Sequence, residues 1–96
     1  MQAELIIRDR NYLSDGTIIE IVVWKVPAPV PPTTHGLKYR LFYGKDGERI
    51  VGFDNERGKG DHKHILGVET AYEFTTLAQL LDDFEAAIVA IRGEPI

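Results

Sequence analysis

Residues 17–26, Thr-Ile-Ile-Glu-Ile-Val-Val-Trp-Lys-Val, are followed at once by prolines at 27, 29, 31 and 32. Branching at Cβ favours extended backbone, and apolar side chains at both odd and even positions mean that both faces of the strand are covered. Proline has no N–H to give to a ladder, so the strand must stop at Pro27. This run therefore demands a sheet in which it is an interior strand with a neighbour on each side. Asp15-Gly16 is a hairpin turn signal, and residues 3–8 (Ala-Glu-Leu-Ile-Ile-Arg) supply the neighbour before it. Residues 27–36 read as a stiff surface connection to the next strand. Pro29-Val30-Pro31-Pro32 also offers a PxxP pattern for a polyproline-binding partner, but a four-residue match is a weak signal and the connection is the simpler reading.

A second hairpin follows, with residues 37–43 and 48–53 flanking Gly44-Lys45-Asp46-Gly47. Alternation places Leu37, Tyr39, Leu41 and Tyr43 on one face and Lys38, Arg40 and Phe42 on the other. Residues 62–74 read as one further strand, interrupted near Gly67. The period then changes to 3.6: Leu77, Leu80, Leu81, Phe84, Ile88 and Ile91 form one stripe of a helix over residues 77–92. Thr76 and Gln79 match a capping box, and Gly93 and Pro95 end the helix. Asp82, Asp83 and Glu85 take its solvent side. The expected fold is α+β: an antiparallel sheet of four to five strands, built from two hairpins, with the single C-terminal amphipathic helix packed on one face. Residues 1–96 form a single domain; at this length roughly 60–65% of the unfolded chain's surface is buried, enough for one core.

Several function classes drop out on composition. The chain has no cysteine, which removes disulfides, zinc–thiolate sites and thiol nucleophiles and fits a reducing cytoplasm. No apolar run approaches the ~18 residues of a membrane span, and the N-terminus lacks the pattern of a secretory signal. The formal net charge of −4 argues against broad, nonspecific nucleic-acid binding. The charge is uneven, however: residues 35–64 carry seven Lys/Arg against five Asp/Glu, and residues 65–96 carry one against six. A mildly basic middle and an acidic tail make two different surfaces.

The candidate working segment is Asp54-Asn55-Glu56-Arg57-Gly58-Lys59-Gly60-Asp61-His62-Lys63-His64, which contains no apolar residue. On extended backbone His62 and His64 share one face, and Asp61 and Lys63 take the other. Two imidazoles on one face suit general acid–base work near neutral pH. Cleavage of RNA by its own 2′-hydroxyl needs such a pair and a cation for the developing phosphorane charge. Arg57, Lys59 and Lys63 are the cations to hand, with Arg40 on the preceding strand. Gly58 and Gly60 would let backbone N–H groups approach a phosphate. A bound metal is the competing chemistry, through His62-x-His64 with Asp54, Glu56 or Asp61. The pattern is short and three cations lie near it, so the expectation is a site with no metal and no cofactor. Gly58-Lys59-Gly60 lacks the spacing of a nucleotide-binding P-loop. Ser14, the only serine, lies in a turn without a nucleophile elbow. His35, Trp24 and the tyrosines read as surface or packing residues.

Leu37-Lys38-Tyr39-Arg40-Leu41, with Phe53 leading into the 54–64 block, resembles the TumE family, small bacterial toxins of toxin–antitoxin pairs. The similarity extends from Val-Val-Trp-Lys-Val-Pro to the Phe-Thr-Thr-Leu-Ala-Gln-Leu-Leu-Asp-Asp-Phe segment. It implies a cytoplasmic protein neutralised by a helix-turn-helix antitoxin. The resulting expectation is a metal-independent ribonuclease toxin. His62 and His64 would be its acid–base pair, Asp54 or Asp61 would orient a histidine, and Arg57, Lys59 and Arg40 would hold phosphate. The alternative is a non-catalytic module that binds protein or nucleic acid through the same segment. Open sheet edges would also permit a homodimer.

Overall fold

The apolar run and the prolines set the frame in a computed structural model, which describes residues 2–96. The strands are β1 (Glu4–Tyr12), β2 (Thr17–Lys25), β3 (Leu37–Lys45), β4 (Glu48–Glu56), β5 (Gly60–Ile65) and β6 (Val68–Ala71), followed by the helix α1 (Leu77–Arg92). All six form one antiparallel meander in chain order, so β2 lies inside the sheet between β1 and β3. The α+β class and the helix on one face are as expected, but the sheet has six strands rather than four to five.

The sixth strand comes from a turn. Leu66 (φ 50°) and Gly67 (φ 82°) both take left-handed backbone, which reverses the chain and pairs His64 with Glu69 and Ile65 with Val68. Residues 62–74 are therefore not one strand. The 54–64 segment divides between two strands: Asp54–Glu56 complete β4, Gly60–His64 belong to β5, and only residues 57–59 turn. β1 also runs beyond the expected residues 3–8, as far as Tyr12.

Pleating sorts the residues into two layers. Val23 faces Tyr39 across β2–β3 and Leu41 faces Phe53 across β3–β4; Val51 continues this layer. Leu80, Phe84 and Ile88 of α1 close over it, with the Phe84 ring edge-on to Phe53 at 5.9 Å between centroids. Each such buried side chain contributes roughly 1.5–3 kcal/mol. Thr76 caps the helix by accepting from the Gln79 amide at 3.1 Å, whereas the Gln79 side chain donates to Asp83 instead of completing the box. Gly93, at φ 75°, closes the other end by donating its N–H to the Val89 carbonyl. Arg92 then ties α1 back to the first hairpin by donating to Asp15 at 2.8 Å and to the Tyr43 hydroxyl at 3.1 Å.

The opposite face carries no helix. Arg8, Arg10, Trp24, Lys38, Arg40, Phe42, Asp54, His62, His64 and Glu69 occupy it by register. A bulge between β3 and β4 pairs Arg49 with Gly44 and turns its side chain onto the same face. Its Cδ lies 2.5 Å from where a Cβ at residue 52 would be, so Gly52 is what makes room for it. The proline-rich connection folds back as a strand-to-strand link. The Pro31 carbonyl accepts from the Gly58 amide at 2.8 Å, and Pro32 lies over Gly60.

Candidate active site

Asp54 of β4 and His62 of β5 are direct cross-strand partners, as are Gly52 and His64. Cross-strand partners share a face with their Cβ atoms about 4.5–5.5 Å apart, so the two side chains meet. The His62 and His64 rings stand edge to face with centroids 5.3 Å apart. One ligand-capable atom from each of Asp54, His62 and His64 lies within 4.8 Å of those from the other two. Glu69, delivered by the β5–β6 hairpin, completes the group. Its Oε1 is 3.2 Å from His64 Nε2, 3.5 Å from His62 Nε2 and 2.8 Å from Lys59 Nζ.

Burial grades the cluster from floor to mouth. The side chain of His62 is 5% exposed and that of Glu69 40%, with Asp54 and His64 between. His62 Nδ1 lies 3.0 Å from the Gly60 carbonyl oxygen, which can only accept, so Nδ1 carries a proton. Lys59 holds the Glu69 carboxyl below its ordinary range, chiefly through their hydrogen bond, and the Lys59 ammonium is raised in return. The mouth is thus an ionised carboxylate beside two imidazoles.

The expected residues divide between two faces. Asp54, His62 and His64 converge. Lys59 joins them through Glu69, and Arg40 stands opposite Asp54 across β3–β4. Asp61 and Lys63 point to the helix side. Asp61 therefore does not orient His62 or His64: it accepts from the Tyr39 hydroxyl at 2.6 Å and from His35 Nε2 at 2.8 Å. Burial and this bond to Asp61 push the Tyr39 hydroxyl far above its ordinary range. His35, stacked on Phe74 with centroids 3.9 Å apart, is a packing residue that pins the proline-rich connection to β5. Gly58 and Gly60 do not form a phosphate cradle. The Gly58 amide is spent on Pro31, the Lys59 amide on the Glu56 carbonyl, and Gly60 is buried. Arg57 remains exposed on the turn.

Glu69 and Arg49 are the members that sequence reasoning missed. Gly67 was the available signal for Glu69: a reversal at 66–67 pairs position 69 with position 64. Leucine at the first turn position disguised it, because asparagine, aspartate or glycine usually marks such turns.

The model of the family described as Toxin TumE matches residues 2–92 of the 96-residue chain, spanning the whole sheet and all of α1. This chain belongs to the TumE toxin family. Neither the curated proteins nor the solved structures contain a match. Membership gives the TumE chain a toxin-like role, and a toxin implies an antitoxin that restrains it. Among the described residues, no helix is long and apolar enough to cross a membrane.

Proposed function

We propose that this TumE chain is a ribonuclease toxin that holds RNA on the helix-free face of its sheet and cleaves it at the Asp54–His62–His64–Glu69 cluster. The supporting observation is co-location: Arg8, Arg40 and Arg49 share that face with the cluster, beside Arg10, which pairs with Glu20, and Lys38, which donates to the Asn55 carbonyl, whereas Asp82, Asp83 and Glu85 lie on α1. Guanidinium forks suit phosphate oxygens, and half-buried Trp24 adds a surface on which a base can stack. Arg40 and Arg49 flank Phe42 and Gly52, one step from Asp54 and His64, and hold the phosphate there. His64 and Glu69 line the opening, and His62 lies beneath them. In this reading the protein works in a bacterial cytoplasm, and a helix-turn-helix antitoxin neutralises it.

Induction of the wild-type chain is expected to arrest bacterial growth and to leave RNA with new, discrete ends. Arg40→Ala/Arg49→Ala and His64→Ala, shown by circular dichroism to be folded, should do neither. Equal arrest by all three proteins with intact RNA would instead favour a non-catalytic module that acts by blocking its target.

A further inference from the structure

We propose that Asp54, His62, His64 and Glu69 form a binding site for one divalent transition-metal ion, with zinc the best match. The argument starts at His62. Its Nδ1 proton is committed to the Gly60 carbonyl, so in the neutral ring Nε2 presents a bare lone pair. That lone pair faces Asp54 Oδ1, an atom that also only accepts. The two atoms are in direct contact, both are buried, and neither makes a hydrogen bond. A cation between two such buried atoms satisfies both of them, a place that a proton on Nε2 fills when the ion is absent. The His62 side chain is 95% buried, so water has little room to do so instead.

The surroundings have the form of a first coordination shell with outer support. Asp54, His62 and His64 supply one carboxylate oxygen and two nitrogens within 4.8 Å of one another, and Glu69 Oε1, close to both histidines, is a further donor. At zinc–ligand lengths of about 2.0–2.1 Å, the edge of a tetrahedron is about 3.3–3.4 Å. Glu69 Oε1 stands 3.2 Å from His64 Nε2 and 3.5 Å from His62 Nε2. The Asp54–His62 pair is closer than such an edge and opens to admit the ion. The Gly60 carbonyl fixes the His62 tautomer, and Lys59 holds Glu69, as outer-shell groups do around bound metals. Imidazole donors disfavour magnesium and calcium, which take oxygen, and favour zinc and its first-row neighbours. Two carboxylates balance the charge of the ion. The histidines are then ligands rather than the acid–base pair suggested by their spacing alone. This site goes beyond the ribonuclease reading and does not require RNA to be the substrate.

The test is equilibrium dialysis of chelator-stripped, full-length protein against zinc, with metal measured by mass spectrometry and folding by circular dichroism. One zinc per chain is expected. Asp54→Asn, which keeps the shape of the side chain, and His64→Ala should each weaken binding by more than about tenfold while remaining folded. His35→Gln, on the other face, should still take up one ion. Absence of stoichiometric zinc from folded wild type overturns the proposal, as does unchanged affinity in both cluster variants. Zinc binding without growth arrest would refute the ribonuclease reading alone. RNA cleavage by stripped protein that takes up no zinc would refute the metal site alone.

Discussion

Single residues carry most of the polar risk in this molecule. Asn55 is fully buried in β4, where it accepts from the Tyr39 amide at 3.0 Å and donates to the Leu37 carbonyl at 2.7 Å. Asn55→Ala leaves both backbone groups without partners, and the midpoint of urea unfolding should register a loss of about 2 kcal/mol or more. Asp15 carries a pH effect. It accepts from the Thr17 hydroxyl and amide and from Arg92, and these bonds, led by that to the Thr17 hydroxyl, lower its carboxyl from 3.8 to about 2. A carboxyl that ionises more easily when folded adds stability above its unfolded pKa. That stability is lost as pH falls through the folded value, here between about 4 and 2. Asp83, held low chiefly by the Tyr72 hydroxyl, acts in the same direction. Asp15→Asn should therefore flatten the dependence of urea midpoint on pH across that interval, and an unchanged slope would remove Asp15 from the account. His62, His64 and Asp54 were visible as candidates from residue type and parity. Glu69 was not, because its place depends on a turn that leucine conceals.

Elements differ sharply in how far their sequence announces them. α1 was readable to its ends because six apolar residues repeat at helical spacing between Thr76 and Gly93, each a cap with its own mechanism. β2 was readable because both of its faces are apolar. β1 was only half readable: every residue from Glu4 to Tyr12 except Ile7 is exposed, so Arg8-Asp9-Arg10-Asn11 shows no alternation and resembles a loop. Its strand character comes from pairing with β2, which is tertiary information. Two expectations belong at this scale. Thr76→Ala should lower stability by about 1 kcal/mol through loss of the cap, measured by thermal or urea unfolding. β6, four exposed residues at an edge, should exchange its amide hydrogens well before β3 and β4; equal protection would show that the hairpin is anchored more firmly than its burial indicates.

At the scale of the whole molecule, one helix serves a six-stranded sheet, and α1 takes its position over β4. Stability is therefore concentrated where Leu80, Phe84 and Ile88 meet Leu41, Val51 and Phe53. Phe84→Ala should cost about 3–5 kcal/mol, a large share of what a domain of this size has, and calorimetry should find it unfolded or nearly so at physiological temperature. The candidate site lies across the sheet from that core, on strands that α1 stiffens from behind. The meander has a consequence for how such a protein changes over generations. Each strand pairs only with the strands next to it in the chain, so lengthening the exposed β3–β4 turn at 46–47 or the β5–β6 turn at 66–67 re-registers no distant pair. Turns at the ends of the sheet are therefore free to vary in length while the packed side is inherited intact.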